Sequence, residues 1–78
     1  MANKDTFIKV IELVYNGSDY LHMDTYINTA NIQSFRKTNV ADTECEMAQT
    51  IIYMISGIKL FVLNEPSEIA SNLCVRYT

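Results

Sequence analysis

The chain's only two glycines, Gly17 and Gly57, each stand between runs of β-branched and aromatic residues, and no other feature narrows the choice of fold as much. Asn16-Gly17-Ser18-Asp19 separates FIKVIELVY from a second run, about Tyr20 to Ile27. Asn-Gly supplies the positive φ that tight hairpin turns demand, so a hairpin is expected there. Ser56-Gly57 is flanked in the same way by Thr50-Ile51-Ile52-Tyr53 and by Ile58-Lys59-Leu60-Phe61-Val62-Leu63, the arrangement of two strands around a two-residue turn.

Alternation assigns faces to these strands. In the first, Phe7, Ile11, Leu13 and Tyr15 share one side and Ile8, Val10 and Val14 the other, a pattern expected of a strand covered on both faces. In the return strand Leu21, Met23 and Ile27 are expected to point inward, and Tyr20, His22, Asp24 and Tyr26 form a mixed polar and aromatic face. Asn28 to Asn31 break the pattern, and a short third strand follows from Ile32 to near Lys37. Residues 38–46 read as the longest loop.

The stretch from Thr43 to Ile55 carries two patterns. Thr43-x-x-Glu46 is a capping box, and Met47, Ile51, Met54 and Ile55 recur at helical spacing before a C-cap at Gly57. Against this, Thr50 to Tyr53 are β-branched and aromatic residues that lose side-chain freedom in a helix, which favours the strand of a second hairpin. After Leu63 the reading is simpler. Pro66 suits a first helical turn, Glu68 complements the helix dipole, and Ile69, Ala70 and Leu73 make one apolar stripe. The expected fold is α+β: a four- to five-stranded antiparallel sheet of hairpins with one C-terminal helix, as one domain over residues 1–78 with a flexible start (1–6) and a short tail (75–78).

Composition limits function. Nine acids against six bases give a net charge of -3, and the bases are scattered except for Arg36-Lys37, which argues against nucleic acid as a direct ligand. Cys45 and Cys74 lack the spacing of a metal site and read as reduced thiols in a cytoplasmic setting. The N-terminal MANKDTF has no apolar core of a signal sequence, and the longest apolar run is far short of a membrane span. His22 is the only histidine, and it has a nearby Asp24 and Tyr20 but no companion nucleophile, so the chain reads as non-enzymatic. Asp42, Glu44 and Glu46 alternate without the pattern of a calcium loop, the glycines form no phosphate-binding loop, and no metal or cofactor is expected.

The tyrosines carry more information, because tyrosine offers large contact area at low entropic cost. Tyr20, His22, Tyr26, Tyr53 and Phe61 are the candidate interface residues, and Arg36 is a candidate ligand-binding residue. Two-faced apolar strands in so short a chain imply more hydrophobic surface than one helix can cover. The expected partner is a second copy or another protein.

Residues 50–73, TIIYMISGIKLFVLNEPSEIASNL, resemble the end of the small FlbD/SwrD-type flagellar and swarming-motility proteins. Gly57 fits that family's turn, Leu60 to Leu63 its second strand, and Glu65, Ser67, Glu68 and Ile69 its helix start. FIKVIELVYNGSDYLHMDTYINTANIQSF is similar to the family's opening hairpin, with its Ile-Asn-x-x-x-Ile corner carried by Ile27, Asn28 and Ile32. The loop from Thr38 to Glu46, the two cysteines and the residues before the first strand depart from it. The chain also resembles uncharacterised small phage and mobile-element proteins. The first resemblance implies a non-enzymatic accessory factor. The second implies an inhibitor that binds a host protein complex. A third expectation is a protein that sequesters a nucleotide-like anion in an oligomer cleft lined by Tyr20, His22 and Arg36.

Overall fold

A computed structural model describes residues 6–39 and 47–73. The capping box, the three alternating acids, both cysteines and the C-terminal tail lie outside the described residues. The elements are β1 (Phe7–Tyr15), β2 (Tyr20–Asn28), a 3-10 turn (Thr29–Asn31), β3 (Ile32–Lys37), β4 (Thr50–Met54), β5 (Lys59–Val62) and α1 (Pro66–Leu73). The strands form one antiparallel sheet in the order β2-β1-β5-β4-β3, so the expected α+β fold is the observed one. The β-branched run before Gly57 is a strand, which settles the ambiguity over residues 50–54.

That order requires curvature. β2 and β3 are joined only by Thr29–Asn31, yet they occupy opposite edges of the sheet. Strands sit roughly 4.8 Å apart, so a flat five-stranded sheet would hold its edges about 19 Å apart. A 3-10 turn rises only about 2 Å per residue. The sheet therefore curls toward a barrel whose open seam lies between β2 and β3. The turn at the seam fastens both sides: Thr29 N–H donates to the Thr6 carbonyl at 2.8 Å, and Ile55 N–H donates to the Asn31 carbonyl at 2.8 Å.

On the concave face Ile8, Val10, Ile27, Ile52 and Val62 bury themselves against Ile69 of α1, with Phe35, Leu60 and Leu73 packed around them. The convex face has a smaller cluster of Leu13 and Ala48 with Tyr20, Phe61 and Leu63 beside it. β1 meets β5 at one register position, Glu12 opposite Val62. Asn64 reinforces that junction: its Oδ1 accepts from Ile11 N–H at 2.8 Å, and its carbonyl accepts from the buried Thr50 hydroxyl at 2.6 Å. Its Nδ2 donates to Glu68 in the first turn of α1 at 2.9 Å, so one side chain links β1 to the helix start.

Two expectations are corrected. The β4–β5 connection is a three-residue loop, not a two-residue turn, because Tyr53 pairs with Lys59 and Met54 N–H donates to the Ile58 carbonyl. Gly57, at φ 96°, takes the left-handed position that such a loop places after its tight turn. In β2 only Ile27 is buried as expected, whereas Leu21 and Met23 are 45% and 47% exposed. They share the core face of the sheet but extend past the helix that covers it. On the helix side of β1, Ile8 and Val10 are covered and Val14 is not, and on the opposite face Leu13 is buried while Phe7 and Tyr15 are exposed.

Candidate interaction surface

The β1–β2 hairpin stands out because its ladder is long and its cover is short. Register runs unbroken from Phe7 opposite Asn28 to Tyr15 opposite Tyr20. Asn16 closes the far end: its Oδ1 accepts from the Ser18 and Asp19 N–H groups at 2.9 and 2.8 Å, while Gly17 adopts φ 104°. Within β2, Leu21, His22, Met23 and Asp24 are all exposed in succession, so both faces of that segment are open among the described residues. Val14 lies opposite Leu21 and is also exposed, giving a concave-face patch of Val14, Leu21 and Met23. Glu12 marks the inner limit of this patch, where it accepts from the Thr25 hydroxyl at 2.9 Å.

The six sequence-derived candidates divide between this hairpin and the rest of the sheet. Tyr26 is 66% exposed and His22 is exposed beside Asp24, as an interface role requires. Tyr20 is half-buried: it packs with the Leu13 cluster and meets the Tyr15 ring at 5.1 Å, so much of it is structural. Phe61 belongs to the same cluster, with the Lys59 ammonium 5.6 Å from its ring centre. Tyr53 is half-buried beneath Arg36, whose guanidinium lies 5.8 Å from the ring centre and donates to the Tyr53 hydroxyl at 3.1 Å.

Arg36 also donates to the Lys37 carbonyl at 3.2 Å. It therefore braces β3 against β4, and three strands separate it from Tyr20 and His22 in the sheet order. In the sheet order it thus belongs to the opposite edge strand from Tyr20 and His22. The locally basic pair is also split, because successive residues of a strand face opposite ways. Lys37 reaches Gln49 at 3.1 Å and Glu65 at 3.3 Å on its own side.

An open groove of about 560 Å³ is lined by Thr29, Ile32, Gln33, Ser34, Phe35 and Leu73. It lies along β3 and contains none of the six candidates. Among the described residues no three His, Cys, Asp or Glu side chains gather as a metal site, and no helix is long and apolar enough to cross a membrane. Sequence reading placed Leu21 and Met23 in the core and so missed the residues that dominate the patch. No family model, curated protein or solved structure matches this chain.

Proposed function

We propose that the chain is a non-enzymatic protein-interaction module that self-associates through its β1–β2 hairpin. One observation carries the reading: Leu21 and Met23 lie on the core face of the sheet yet remain nearly half exposed, with Val14 beside them. Apolar side chains grouped at one end of a regular hairpin gain free energy, about 25 cal/mol per Å² removed from water, when a second surface covers them. A chain of 78 residues buries only about 60% of its unfolded surface alone, less than larger domains do, so association also adds stability that the single core lacks. Light scattering on the purified protein over a micromolar concentration series tests this. A mass rising above the 8.9 kDa of one chain supports it, and 8.9 kDa throughout overturns it.

A second reading, an inhibitor that blocks a host protein complex, draws on another surface. Ile55 within the β4–β5 loop and Ile58 just after it are 63% and 59% exposed. Capture of one defined complex by the native chain, lost in the Ile55→Ser, Ile58→Ser double variant, would favour that reading.

A further inference from the structure

Resting on the reading of the hairpin as an association surface, we infer that β2 pairs edge to edge with β2 of a second copy, antiparallel about a two-fold axis at Met23. The two edges of the sheet differ in how they are protected. Exposed edges are normally blunted by shortness, bulges, proline or lysine. β3 carries such devices: it is six residues long, its register shifts between Ile32 and Ser34, it ends in Arg36 and Lys37, and Leu73 of α1 lies beside it. β2 carries none of them. It is nine residues long, its ladder with β1 is unbroken, and YLHMDTYIN contains no proline, glycine, lysine or arginine.

The chemistry of β2 selects both the occupant and the register. Residues opposite one another in an antiparallel pair point to the same face, so a two-fold copy must place some β2 residue opposite its own counterpart. With Asp24 at the centre, two carboxylates would face each other, which is destabilising. With Met23 at the centre, His22 stands opposite the partner's Asp24 and Asp24 opposite the partner's His22. No other two-fold register makes that pair. The same register sets Met23 against the partner's Met23, Tyr20 against the partner's Tyr26, and Leu21 against the partner's Thr25. The imidazole N–H donates to the carboxylate on the convex face, and Leu21 and Met23 of both copies form one apolar diagonal on the concave face. The open peptide groups of the edge are satisfied in the same step, as in strand addition between proteins generally. β2 is thus self-complementary in charge, in apolar surface and in backbone.

The test combines cross-linking with a charge exchange, in a background where Cys45 and Cys74 are replaced by serine. Cα atoms of directly opposed residues lie within disulfide range, whereas those of a residue displaced by two positions do not. Met23→Cys should therefore give a covalent dimer as the main species on mild oxidation, and Asp24→Cys should not. His22→Asp should weaken self-association about tenfold, because it sets two pairs of like charges against each other. The double variant His22→Asp, Asp24→His restores the pairing in reverse order and should recover association. If the background protein is dimeric but Met23→Cys fails to cross-link, or the double variant fails to recover, the edge pairing is wrong and the self-association reading survives. A monomeric background protein overturns both.

Discussion

At the scale of single residues, two kinds of position hold this fold, and only one of them is visible in sequence. Gly17 and Gly57 sit at φ 104° and 96°, and a methyl group added at either meets nothing within 4 Å, so substitution costs backbone strain and no clash. Left-handed backbone costs an L-residue about 1–2 kcal/mol. Gly57→Ala should accordingly lower the melting temperature by about 5–10 °C in a circular-dichroism melt of a domain this size. Both glycines were legible because turn chemistry is local. Thr50 is the opposite case. Its hydroxyl is buried and bonded to the Asn64 carbonyl, and Asn64 in turn fills the ladder beside Ile11. Thr50→Val keeps the shape but orphans that carbonyl, and should cost about 1–2 kcal/mol in urea unfolding at unchanged m value. Nothing in the sequence marks Thr50 or Asn64, because their partners are fixed only when β4, β5 and β1 are already in register.

Elements explain why the strand faces were read correctly and their burial was not. Alternation put Leu21, Met23 and Ile27 of β2 on one face, and they do share it. Alternation does not say how far the cover extends. α1 has eight residues, about 12 Å of helix, whereas the nine residues of β2 span about 30 Å. The helix reaches Ile8, Val10 and Ile27, and its length stops it short of Val14, Leu21 and Met23. Its own stripe was legible at Ile69 and Ala70, which are 0% and 2% exposed, because helical spacing and the Pro66 start agree. An eight-residue helix is marginal alone, so its packing decides whether it forms. Ile69→Ala should cost about 2–5 kcal/mol at every protein concentration, measured by chemical denaturation. The 43–55 ambiguity was resolved for β4 by tertiary pairing: Ile51 and Ile52 are both fully buried because both faces of the sheet are covered at that point.

For the whole molecule, the curl of the sheet decides which surface is left uncovered. A three-residue connection between opposite edges bends the five strands around α1, closes the core at the Thr6 and Ile55 end, and leaves the β1–β2 hairpin projecting uncovered at the other. The candidate site was legible only in part. Tyr26 and His22 belong to the open hairpin, whereas Phe61 packs in the Leu13 cluster and Arg36 donates to the Tyr53 hydroxyl across β3 and β4. If the uncovered hairpin is where copies meet, folding and association are coupled, and the melting temperature of the native chain should rise with protein concentration. Met23→Lys should abolish that dependence with little effect on the fold, since the side chain is 47% exposed. The most direct measurement is sedimentation velocity of the native chain and Met23→Lys at matched micromolar concentrations. The native chain should sediment at about twice the 8.9 kDa of a single chain and the variant at 8.9 kDa, and equal masses for the two would contradict association through β2.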